Sequence, residues 1–153
     1  MKEDILKYEN REKLFKFLID DFSFVKVEEK YSSENFGNFF IILSSTYFSL
    51  RYINDRSFLT IEISSNLAPE TWFDLSFLRD LIYNEDGINA DKRNLSNSER
   101  IEELNSFLRK KIDVIRELFA KENYPTTRKH ILEGAKKQYE RNVSEWKKKV
   151  NKD

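Results

Sequence analysis

Residues 36–72 read FGNFFIILSSTYFSLRYINDRSFLTIEISSNLAPETW, and this stretch decides the fold. Three apolar runs follow one another, Phe39–Leu43, Tyr47–Ile53 and Phe58–Ile63, broken by Ser44-Ser45 and by Asn54-Asp55-Arg56. In the second and third runs apolar side chains recur at alternate positions. Phe48, Leu50 and Tyr52 form one set and Leu59, Ile61 and Ile63 another, with Ser49, Arg51, Thr60 and Glu62 between them. A period of two sends successive side chains to opposite faces of a pleated strand, so the pattern predicts an antiparallel meander with one buried face. The first run is apolar throughout, with Phe39, Ile41 and Leu43 opposed to Phe40 and Ile42, which places it inside the sheet.

Toward the N-terminus, Phe24, Val25 and Val27 followed by Glu28-Glu29-Lys30 read as an outer strand whose charges discourage edge-to-edge pairing. Before it, Leu14, Phe15, Leu18 and Phe22 follow helical spacing from a cap at Asn10 to about Ile19. Gly37 stands directly before the central strand, where a positive φ or a close backbone approach favours glycine. Toward the C-terminus, Pro69 predicts the entry of a three-turn helix carrying Trp72, Phe73, Leu75, Leu78, Leu81 and Ile82, with Trp72 packed on the sheet. Asn84–Asn97 lacks periodicity, contains Gly87 and reads as a mobile loop. Ser96 and Glu99 then form a capping pair ahead of Ile101, Leu104, Leu108, Ile112, Ile115 and Phe119, one face of a helix to about Lys121. Asn123-Tyr124-Pro125 breaks that helix. Another starts at Thr126 or Thr127 with the stripe Ile131, Ala135, Tyr139, Val143, Trp146 and Val150. These two helices are expected to form a long antiparallel hairpin. The expectation is one α+β domain over residues 1–153: about four strands with flanking helices in 1–95, and the hairpin of 96–153 packed on them.

Composition sets the functional bounds. A chain of 153 residues buries roughly 70% of its unfolded surface, enough for a real core. Aromatics at 14% exclude the aromatic-poor signature of disorder. Lys and Arg balance Asp and Glu at 27 each, so no global field points to nucleic acid or an anionic membrane. The balance is uneven along the chain. Residues 121–153 hold 10 basic against 5 acidic side chains, a net of +5, which leaves −5 on residues 1–120. The absence of cysteine excludes disulfides, thiolate metal sites and thiol catalysis. No apolar run reaches signal-peptide or membrane-spanning length, so a soluble cytoplasmic protein is expected.

Catalytic signatures are sparse. His130 is the only histidine, and one imidazole builds neither a histidine metal site nor a triad by itself. The three glycines, Gly37, Gly87 and Gly134, form no phosphate-cradling loop. Asn84–Asp91 is rich in oxygen ligands, but its glycine falls too early for an EF-hand and the terminal Glu is missing. Asp20-Asp21 with Glu28-Glu29-Lys30 matches nuclease metal sites in composition but not in spacing. An enzyme would need a carboxylate-only mechanism. No catalytic residue, cofactor or metal ligand is therefore assigned. The basic last helix is interrupted by Glu133, Glu140 and Glu145, which breaks a continuous phosphate-binding strip. By contrast, Tyr47, Tyr52, Phe58, Trp72, Phe73 and Tyr83 cluster around Arg51, Arg56 and Asp74, and aromatics with arginine are what protein interfaces favour.

Three fragments, Phe36-Gly37-Asn38, Leu50–Arg56 and Trp72-Phe73-Asp74-Leu75, together resemble a group of small uncharacterised bacterial proteins, some of them similar to immunity proteins of toxin loci. The likeness spans about residues 22–82, and Ser57 stands where the pattern has glycine. It implies no catalytic residue. The resulting expectation is a non-enzymatic cytoplasmic binding protein, an immunity-type inhibitor of a bacterial toxin in the sharpest form, with Arg51, Asp55, Arg56 and Asp74 on the partner-binding surface. Arg51 and Asp74 could equally form a structural ion pair between sheet and helix. The alternative is a small-molecule or nucleic-acid module using the sheet face and the basic C-terminal helix.

Overall fold

The computed structural model describes residues 8–34, 37–85 and 95–151. A 3-10 turn at Tyr8–Asn10 leads into α1 (Arg11–Phe22), and then come five strands, β1 (Val25–Ser32), β2 (Asn38–Ser44), β3 (Phe48–Asp55), β4 (Phe58–Ser65) and β5 (Phe73–Asp74). Three helices complete the chain, α2 (Leu75–Glu85), α3 (Asn97–Leu118) and α4 (Tyr124–Val150). The strands pair in chain order, β1-β2-β3-β4-β5, and every pair is antiparallel. The fold is the α+β meander that the alternating runs predict, with one more strand.

The buried face carries Phe39, Ile41 and Leu43 of β2, Phe48, Leu50 and Tyr52 of β3, and Leu59, Ile61 and Ile63 of β4. Leu14, Phe15 and Leu18 of α1, Leu75, Leu78 and Ile82 of α2, and Ile101 through Ile115 of α3 close over this face as a single core. The α3 stripe is the one its spacing predicts, and its first turn is held by the Ser96–Glu99 capping box. Tyr52 sits at the centre. Its hydroxyl donates to Asn105 Oδ1 at 2.7 Å, and Asn105 Nδ2 donates to the Leu14 carbonyl at 2.9 Å, so one polar relay ties β3 to both covering helices.

Four local expectations change. Asn10 occupies the N-cap position of α1, but its side chain makes no capping hydrogen bond, and the helix runs on to Phe22, where Ser23 ends it at φ 60°. Pro69 lies in a turn, and Phe73-Asp74 pair with Glu62 and Ile63 as a short fifth strand before the helix begins at Leu75. Pairing with β4 wins there because it fills backbone hydrogen bonds at an otherwise open sheet edge. The last helix starts at Tyr124, with Pro125 in its first turn, where a missing N–H costs nothing. α4 follows α3 after a short turn, but the helix it lies against is α2, and its buried residues are confined to Tyr124, Thr127 and Ile131. Of the loop expected at 84–97, residues 86–94 and Gly87 with them lie outside the described residues, as does Phe36.

Candidate functional site: the open face of the sheet

Helices cover one face of the sheet, and the residues between the core positions point the other way. Phe40 and Ile42 of β2, Arg51 and Ile53 of β3, and Thr60 and Glu62 of β4 are all half-buried, and no described helix seals them. Alternation puts Asp74 of β5 on the same side, and Trp72 lies beside it.

Arg51 stands at the middle of this surface. Its guanidinium donates to Glu62 Oε1 through Nε at 2.9 Å and Nη2 at 2.5 Å, across a register in which the two residues face each other on β3 and β4. The same group lies over the Trp72 ring, 4.3 Å from its centroid. One side chain thus joins an ion pair and a cation–π contact, which fixes a planar charged group within an apolar surround. Lys30 of β1 sits 5.6 Å over the Phe40 ring in the same way. Toward the β3–β4 turn, Lys30, Tyr31, Asn38, Phe40, Ile53 and Asp55 line an open depression of about 630 Å³.

The turn itself is built by residues far apart in sequence. Arg56 (φ 50°) and Ser57 (φ 65°) form the two-residue connection, both in the left-handed region that twisted hairpins favour. Asn38 braces it: its Oδ1 accepts from the Arg56 backbone N–H at 2.8 Å and its Nδ2 donates to Asp55 Oδ1 at 3.5 Å. Gly37, at φ 71°, lets the chain turn into β2, and Asn54 Nδ2 donates to its carbonyl at 3.4 Å. The Gly37-Asn38 and Asn54-Asp55-Arg56 fragments are therefore one structural unit. The free edge of β4 is closed by α3: Asn97 exchanges hydrogen bonds with Leu59 N and Ser57 O, and Arg100 donates to the Leu59 carbonyl while stacking on Phe58 at 4.2 Å. Burial pushes the Arg100 guanidinium down, opposed by the charge of Asp74.

The four residues singled out from sequence fall as follows. Arg51 is central. Asp55 and Arg56 are exposed at the hairpin tip and pair at 3.4 Å. That tip lies about 13 Å along β3 from Arg51, at ~3.3 Å per residue. Asp74 shares a cross-strand row with Glu62 and Arg51, but its carboxylate accepts from Ser76 N at 2.8 Å and Ser76 Oγ at 2.6 Å and so caps α2. The Arg51–Asp74 ion pair does not form, because Glu62 lies directly opposite Arg51 on the neighbouring strand. Sequence reasoning put Glu62 on the outward face without giving it a role, and missed Phe40, Ile42 and Ile53 as surface residues. The available signal was that β2 is apolar on both faces while α1, α2 and α3 together cover only one.

The other sequence candidates stand apart from this surface. Glu29 accepts from the Tyr8 hydroxyl at 2.6 Å, from Lys26 at 2.9 Å and from Arg11, which locks the 3-10 turn and α1 to β1. Burial works against its charge, but the hydrogen bonds from Tyr8, Lys26 and Arg11 outweigh it and hold the carboxyl down at about 2. Asp20 and Asp21 are exposed at the end of α1. His130 lines a polar groove of about 320 Å³ between α2 and α4, with Asp80 and Glu133. Among the described residues no three His, Asp or Glu side chains gather as a metal site, and no helix is long and apolar enough to cross a membrane.

No family model, curated protein or solved structure matches the chain.

Proposed function

We propose that this chain is a non-enzymatic, cytoplasmic binding protein that engages a protein partner through the open face of its sheet, acting as an immunity-type inhibitor of a bacterial toxin. The observation that carries the reading is the Arg51–Glu62–Trp72 cluster set among Phe40, Ile42 and Ile53 on an uncovered face. Arginine and aromatic residues with a polar rim are the composition of binding hot spots. Inhibition needs only a complementary surface, with no catalytic group. The net charge of −5 on residues 1–120 would steer a basic partner and make association fast and salt-sensitive.

The test is recovery of the tagged protein at low salt from its native host, with wild type beside Phe40→Lys, Trp72→Ala and the off-face control Lys121→Glu. The expected result is one stoichiometric protein partner retained by wild type and control and weakened at least about tenfold by both face variants, whose circular dichroism stays native. Equal retention by all four proteins would remove the sheet face from the proposal. Recovery of nucleic acid that salt strips away would favour the basic helix instead, and a small molecule retained in the depression beside Phe40 and Ile53 would favour a ligand-binding module.

A further inference from the structure

The last helix outruns the body it belongs to. α4 has 27 residues, about 40 Å at ~1.5 Å per residue, and buries only Tyr124, Thr127 and Ile131 near its start. Beyond them Leu132, Tyr139, Trp146 and Val150 are 45%, 68%, 63% and 53% exposed. Helices that bury no face are marginal in water, and Gly134 weakens this one by about 1 kcal/mol relative to alanine. The far half of α4 is therefore a helix in need of a cover. α2 does not supply it: the α2-facing groove is lined by His130, Gly134, Lys137 and Arg141, which the helical turn places on the flank opposite Tyr139 and Trp146.

We propose that the cover is the same helix of a second copy, paired antiparallel about Arg141. Leu132, Lys136, Tyr139, Val143, Trp146 and Val150 are spaced alternately four and three residues apart, the a and d positions of a heptad seam. In the antiparallel register about Arg141 the whole seam closes at once. Leu132 meets Val150 of the second copy, Tyr139 meets Val143, and Lys136 lies against the Trp146 ring, where an ammonium is favoured by the aromatic face. The flanks also agree: Glu133 faces Lys147 of the second copy, and symmetry makes that pair twice. Glu140 meets its own copy, the single like-charged approach in the register. Parallel pairing is worse where charge decides, because it sets Lys136 on Lys136 within the seam and leaves Glu133 and Lys147 far apart. The antiparallel arrangement also keeps the two bodies, each at the Ile131 end of its own helix, at opposite ends of the paired segment. This inference is independent of the sheet face.

A cysteine-free chain makes the test direct. Sedimentation equilibrium of the full chain from about 1 to 100 μM is expected to show a monomer–dimer equilibrium, weakened at least about tenfold by Trp146→Glu or by Lys147→Glu and restored in the charge swap Glu133→Lys with Lys147→Glu. Ser144→Ala, on another flank, serves as the control, and circular dichroism establishes that each variant keeps its helices. Under oxidation Glu140→Cys is expected to cross-link to itself, and Leu132→Cys to Val150→Cys in a mixture, whereas Val150→Cys alone stays uncross-linked. A wild type that is monomeric throughout the range, a dimer indifferent to Trp146→Glu, or ready self-linking of Val150→Cys would overturn the proposal. Sedimentation of a monomer with anionic phosphatidylserine vesicles, lost in Trp146→Glu, would overturn it in favour of a membrane surface as the occupant.

Discussion

Ser57 and Glu29 show how single side chains set local energetics here. The β3–β4 turn needs two left-handed residues and has Arg56 and Ser57, neither of them glycine. A side chain in that region costs about 1–2 kcal/mol, so Ser57→Gly is expected to stabilise the protein by about 1 kcal/mol, net of the entropy glycine adds to the unfolded chain. Thermal unfolding would read this as a midpoint about 2–4 °C higher. Glu29 has the opposite character, since its ionised form is held by three donors and its folded pKa lies below the unfolded value. Its stabilisation is therefore complete above about pH 4.5 and drains away as the pH falls toward about 2. Glu29→Gln is expected to cost about 2 kcal/mol at pH 7 and to flatten the acid limb of a stability–pH profile over that window. The sequence marks Glu29 only as one acid among many, because the donors that single it out, Tyr8 and Arg11, stand 21 and 18 residues earlier in the chain.

At the scale of elements, legibility followed how much each element owes to its own pattern. β3, β4 and α3 carry complete periodic faces, and the Ser96–Glu99 box states where α3 begins, so they could be read directly. β5 has two residues and no pattern; Phe73-Asp74 is a strand only because Glu62 and Ile63 lie beside it. α4 was legible as a helix but not in its packing, since its apolar stripe continues past the point where the body ends. Of the site, Arg51 and Trp72 could be found as an aromatic–arginine cluster, whereas Glu62 required the β3–β4 register. The relay from Tyr52 through Asn105 to Leu14 was invisible for the same reason, its members being spread across three elements. Burial pushes the Tyr52 hydroxyl pKa up, so the group stays protonated and remains a donor. Tyr52→Phe leaves the Asn105 acceptor without its donor and is expected to cost about 1–2 kcal/mol in denaturant unfolding, with little change in m-value.

Across the whole molecule, the chain spends its helices unevenly. α1, α2 and α3 share one core with the inner face of the sheet, while the outer face and the far half of α4 are left to solvent. The strand order, which equals the chain order, has a consequence for biosynthesis. Each strand emerging from a ribosome finds its neighbour already made, so the meander can zip up through short loop closures, the local contacts that make for fast folding. The lid arrives late. Residues 101–115, which cover Leu59, Ile61 and Ile63, are synthesised only after the sheet is complete, and at ~5–20 residues per second the nascent chain leaves part of its hydrophobic floor, beyond what α1 and α2 cover, open for seconds. That interval, before α3 docks, is when this protein would most need a chaperone.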